Sequence, residues 1–116
     1  MDYMARLFSQ TATWNEVVPA TSSLTEETIV VHVLEGIRIS SETVGAIKDG
    51  YGSREESGAI LFYLCGSSSV DGIKDETPAF KVGDTIETPT KVWTVASVAS
   101  FANLGKGLHH MEVSLV

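Results

Sequence analysis

Apolar and polar positions alternate with a period of two through most of the chain, which predicts strands rather than helices. Thr11 to Val17 mixes β-branched and aromatic residues with polar ones and reads as a short first strand, ended by Pro19. Residues 18–26, rich in Thr and Ser, read as a connection. Thr28 to Ser40 is the longest strand pattern: Ile29, Val31, Val33, Ile37 and Ile39 share one parity, while His32, Arg38 and Ser40 share the other. Glu35-Gly36 interrupts it and predicts a bulge or sharp bend. Ala59 to Cys65 is a continuous apolar run of strand length, as expected of a strand covered on both faces. Phe80 to Glu87 reads as a Gly83-Asp84 turn leading into a short strand. Thr88-Pro89-Thr90 turns this strand into a second one, Lys91 to Ser97, as a hairpin. Trp93 and Val95 share a face of that second strand. Asn103 to Gly107 is another turn, and Leu108 to Val116 is the last strand. Met111, Val113 and Leu115 face its core side, and His110, Glu112 and Ser114 face out.

These elements predict an all-β fold, a small β-barrel or sandwich of about six strands. Residues 1–27 form an N-terminal arm and first strand, with a short helix where Met4, Leu7 and Phe8 share a face. Residues 41–58 break every pattern and hold Gly45, Gly50, Gly52 and Gly58 among scattered charges. This is expected to be one long mobile loop, and loops of that length in small domains are functional or disordered. At 116 residues the chain has room for one domain and one core.

Charge narrows the partners. Eight basic residues against 15 acidic ones leave a net charge of −7, which argues against binding DNA by neutralising its phosphates. The single cysteine, Cys65, excludes an intramolecular disulfide and a multi-cysteine zinc site, and fits a reducing compartment. No apolar stretch approaches bilayer-spanning length, and neither a signal peptide nor a lipidation motif is expected, so no membrane contact is expected.

Catalytic motifs are not evident. Gly105-Lys106-Gly107 lacks the spacing of a phosphate loop, and neither a nucleophile elbow nor a His-Glu-x-x-His helix occurs. His109 and His110, as strand neighbours, are expected on opposite faces, which disfavours a shared metal. Cys65 ends an apolar run with no basic neighbour, as a small core residue does. Asp71, Asp75 and Glu76 lack calcium-loop spacing and read as a solvated acidic loop. No cofactor is expected. Trp14 and Trp93 read as core or interface anchors.

Two segments carry a resemblance. Gly107-Leu-His-His-Met-Glu-Val-Ser-Leu-Val116 resembles the closing strand of a family of small phage minor capsid proteins, with Met111 where an aromatic is common. Ala59 to Cys65, followed by Phe80-Lys-Val-Gly-Asp-Thr-Ile-Glu87 and the strand from Trp93 to Val98, is similar to the order of elements in that family. The resemblance covers roughly residues 28–116. It implies a head-completion, stopper-like protein with no catalytic residues. Such a protein forms a homo-oligomeric ring in the virion neck, between a portal or adaptor protein and a tail protein, near the packaged DNA. An acidic wall fits a conduit along which the duplex must slide. The loop would then gate the channel or dock on a neighbouring ring, through Gly45, Lys48, Asp49, Gly50, Tyr51, Gly52, Arg54, Glu55 and Glu56. The expected subunit interface uses Trp14, Ile60, Phe62, Leu64 and His110, with residues 3–8 packed on a neighbour. The alternatives are a tail-terminator or tail-completion protein, a small-ligand-binding barrel, and an enzyme using His109 or His110 with Glu112.

Overall fold

The computed structural model describes residues 8–19, 27–40, 58–74, 77–103 and 107–116. Seven strands follow in chain order: β1 (Gln10–Val18), β2 (Thr28–Ser40), β3 (Ala59–Leu64), β4 (Ser69–Val70), β5 (Thr85–Glu87), β6 (Val92–Asn103) and β7 (Gly107–Leu115). Among the described residues there is no helix. The expected N-terminal helix and the loop at 41–58 lie almost wholly outside the described residues.

All pairings are antiparallel. The order β1-β5-β6-β7-β3-β2 is closed by the pairing of β2 with β1, giving a six-stranded barrel with β4 added on β2. Of the two architectures expected from the alternation, barrel or sandwich, the barrel is present, and closure removes most of the sheet edges that a sandwich would leave. The hairpin between β5 and β6 is also as expected: Thr88 and Lys91 exchange backbone hydrogen bonds around Pro89.

The core is built from the inward columns. Ala12 and Trp14 come from β1, Ala59, Leu61 and Tyr63 from β3, Met111, Val113 and Leu115 from β7, joined by Ile86, Trp93 and Val95. Phe80 plugs it from the loop before β5, with its ring 4.6 Å from that of Trp14. Tyr63 is fully buried and its hydroxyl donates to the Ser68 carbonyl. Cys65 packs partly buried against this core.

Three bulges set which residues face inward. Thr11 pairs with Glu35 and Gln10 with Ile37, so Gly36 is an extra residue in β2, at φ +69°. An extra residue reverses the alternation. Leu34 and Ile37, of opposite parity, are therefore both fully buried. The single-face expectation for β2 is corrected by this: Ile29, Val31 and Val33 point outward and are 55%, 61% and 48% exposed. A second bulge between Val95 and Ser97 lets β6 run to Asn103, well past the expected end, with Val98 taking the inward position. The third lies at His109, where Phe101 pairs with His110 and Ala102 with Leu108.

Residues 67–70 supply both β4 and a buried staple. Ser68 is fully buried; its hydroxyl donates to the Gly36 carbonyl and accepts from the Leu64 amide. The apolar run of β3 is covered unequally. Its inner face is buried, while Ile60, Phe62 and Leu64 are half-buried on the outer face beside Ser114, Glu112 and His110.

Candidate functional site

Two features stand at one end of the barrel: a charged clasp across its mouth and a ribbon that projects beyond it. The clasp begins with the Gly83-Asp84 turn. Gly83 adopts φ +101°, and the Asp84 amide closes the turn on the Lys81 carbonyl. This drives the Asp84 side chain into the core, where it is fully buried. Its carboxylate accepts three hydrogen bonds: from Trp14 Nε1 at 2.9 Å, from the Val17 amide at 3.0 Å and from the Lys81 amide at 3.0 Å. A buried carboxylate is tolerated only when satisfied in this way.

Above Asp84, four ionisable side chains form a chain. Lys81 Nζ lies 2.8 Å from Glu16 Oε2, Glu16 Oε1 lies 2.8 Å from His32 Nε2, and His32 Nδ1 lies 2.7 Å from Asp71 Oδ2. Trp14 pairs with His32 across the β1–β2 ladder, and their rings stack at 4.3 Å. Asp71, at φ +53°, also accepts from the Val33 amide, so its turn is pinned to β2 at two points. A cleft of about 300 Å³ lies here, lined by Trp14, Glu16, His32 and Asp71 with Ile73 and Pro78. Both imidazole nitrogens of His32 face carboxylates, so neither is directed at the cleft. The polar groups satisfy one another instead of converging on a ligand.

Titration of the clasp follows from these contacts. Burial is the largest influence on His32 and disfavours its charge, but the hydrogen bonds and charges of Asp71 and Glu16 together outweigh it. Its pKa is raised above the ordinary 6.5. The hydrogen bonds from Lys81 and then His32 hold Glu16 below its ordinary 4.5. Those from His32 and then the Val33 amide hold Asp71 below 3.8. A raised histidine contributes stability that is complete below about pH 6.5 and is lost as pH rises through the folded value. The lowered carboxylates contribute stability above their ordinary values that is lost as pH falls through the folded ones. The clasp is therefore strongest between the carboxylate range and about pH 6.5. Thermal unfolding followed from pH 5.5 to 8 should show the wild type losing stability as pH rises through the folded value of His32. His32→Phe, which keeps the ring stack, should lack that loss; an identical pH profile would refute the clasp.

The second feature is the far half of the β1–β2 ribbon. Pairing with β5 ends at Asn15, and pairing of β2 with β4 begins only at Leu34. Beyond those points the ribbon carries the half-buried Val17 and Val18 and the exposed Ile29, Val30 and Val31, and Val30 on its inner face is 41% exposed.

The sequence-derived candidates fall as follows. Trp14 is 2% exposed and committed to Asp84 and His32, so it presents nothing to a neighbouring subunit; as an interface residue it is corrected to a core residue. Ile60, Phe62, Leu64 and His110 do share one outer patch of β3 and β7. Gly45, Lys48, Asp49, Gly50, Tyr51, Gly52, Arg54, Glu55 and Glu56 lie outside the described residues, as do Asp75, Glu76 and residues 3–7. His109 and His110 do not diverge as strand neighbours should. The bulge at His109 brings their Nδ1 atoms to 2.9 Å, while His110 Nε2 contacts Glu112 at 3.0 Å and its ring stacks on Phe101. No cluster of three metal-ligating side chains occurs among the described residues. Glu16, His32, Asp71 and Lys81 had no motif to mark them, because they are brought together from four separate segments. The one available signal was His32 standing on a long apolar strand. No family model, curated protein or solved structure matches the chain.

Proposed function

We propose that this chain is a structural head-completion subunit of a tailed phage or prophage, assembling as a ring in the neck between portal and tail and helping to retain packaged DNA. The observation that carries the assembly role is the projecting ribbon, whose Ile29, Val30, Val31 and Val33 are exposed on both faces. A two-stranded ribbon is marginal in water without a covering layer. The resemblance of residues 59–65, 80–87 and 107–116 to small phage minor capsid proteins supports the neck as the place of assembly. The net charge of −7 suits a wall past which DNA slides. The tail-terminator alternative shares these supports and differs only in position along the particle.

Localisation tests the proposal. Antibody labelling of virions from the source should mark the neck, with a few to about a dozen copies per particle by mass spectrometry. Label one ring further down, at the tail side of the joint, would favour a tail-terminator, and absence from particles would overturn the virion role altogether.

A further inference from the structure

Two strand edges in this barrel carry no partner among the described residues. The first is on β2. The Val33 amide donates to Asp71 Oδ1 and the Val33 carbonyl accepts from the Asp71 amide, so these groups point away from β1. Backbone groups alternate along a strand, so those of Ile29 and Val31 point the same way. No strand meets them there: β4 covers only Leu34 and Glu35, and β3 only Arg38 to Ser40. The second edge is on β6. Val95 still bonds Gly83 and Asp84 on its β5 side. From Ala96 to Ala102, β6 has β7 on one side and no strand on the other.

Neither edge segment carries guarding residues of its own. Natural edge strands are blocked by lysine, proline or inward charge. Thr28-Ile-Val-Val-His32 and Ala96-Ser-Val-Ala-Ser-Phe-Ala102 contain no Lys, Arg, Asp, Glu or Pro. Both are β-branched or small-residue segments of similar length, and both lie beside exposed apolar side chains, Ile29 to Val31 on one and Phe101 on the other.

We propose that copies of this chain join edge to edge, the β2 edge of one adding to the β6 edge of the next. A foreign strand would need only one edge and leave the other open. Neighbouring copies cover both, one on each side, because each chain carries one of each. Two different patches meeting is a heterologous contact, which closes into a ring when the rotation per subunit closes. The inference rests on the ring reading above and supplies its interface.

The test uses two half-blocked variants. Ile29→Lys with Val31→Lys blocks the β2 edge and leaves β6 intact; Ser97→Lys with Ala99→Lys does the reverse. All four residues are exposed, so folding should persist, and circular dichroism checks it. Sedimentation of the wild type should show concentration-dependent association, and each variant alone should associate at least about tenfold more weakly. Mixed together, the two variants should form a 1:1 dimer and stop there, since each supplies the edge the other lacks. A wild type that stays monomeric to about 1 mM would overturn the edge pairing. So would a Ser97→Lys, Ala99→Lys variant that dimerises alone, which would indicate β2 pairing with β2. Either failure leaves neck localisation to stand or fall on the virion labelling.

Discussion

Replacing Asp84 by alanine is expected to lower the unfolding free energy by about 3–5 kcal/mol, a large share of what a domain of this size possesses. The carboxylate is fully buried and is the common acceptor for Trp14 Nε1 and the Val17 and Lys81 amides. Alanine would leave all three donors without a partner in a place water reaches poorly, and each such loss costs about 1–3 kcal/mol. Part of the turn would go too, because the Lys81 amide bonds the side chain while the Asp84 amide bonds the Lys81 carbonyl. Asp84→Asn should cost less, since one amide oxygen still accepts, but its NH2 must then face a donor. Urea unfolding of both variants beside Trp14→Phe, which removes one donor, measures the effect. A loss below about 1 kcal/mol for Asp84→Ala would mean the three donors readily find other acceptors.

Gly36→Val is expected to cost about 3 kcal/mol or more. Gly36 sits where β2 changes partner from β4 to β3 and where the bulge opposite β1 falls. Its φ of +69° disfavours a β-branched residue, and a Cβ there would stand 3.3 Å from the Ser67 carbonyl oxygen and 3.4 Å from Ser68 Cα. The Ser68 hydroxyl bonds the Gly36 carbonyl, so displacement would also strip a buried polar contact. Gly83→Ala is the control: its φ is +101°, but nothing lies within 4 Å of the added Cβ. Its cost should be confined to backbone strain, about 1–2 kcal/mol. If the two variants lose the same stability by urea unfolding, close packing at Gly36 contributes nothing beyond its dihedral angle.

Much of the barrel was legible along the chain. The alternation in β7 identified Met111, Val113 and Leu115 as core, and all three are buried. Gly83-Asp84 and Thr88-Pro89-Thr90 were readable as turns because their chemistry is local: a glycine with positive φ in the first, a proline suited to a turn in the second. Glu35-Gly36 was likewise readable as an interruption. Its consequence was not. Counting parity straight through it put Ile29, Val31 and Val33 on the side of Ile37, whereas one inserted residue turns them outward. The same oversight applied at His109, where a bulge unites two rings that simple alternation separates.

By itself the sequence determined that the chain is a β protein, where most of its strands and two of its turns lie, and that it is acidic. These follow from properties of neighbouring residues: side-chain period, turn chemistry and charge. Only the tertiary structure decided which faces are wet, and that the barrel closes through β1 and β2. It also decided that Asp84 serves Trp14 from 70 positions away and that Glu16, His32, Asp71 and Lys81 meet at one mouth. Each of these depends on pairing register between distant segments. A shift of one residue there inverts every face, and the local pattern on either side of a bulge looks the same whichever way it turns.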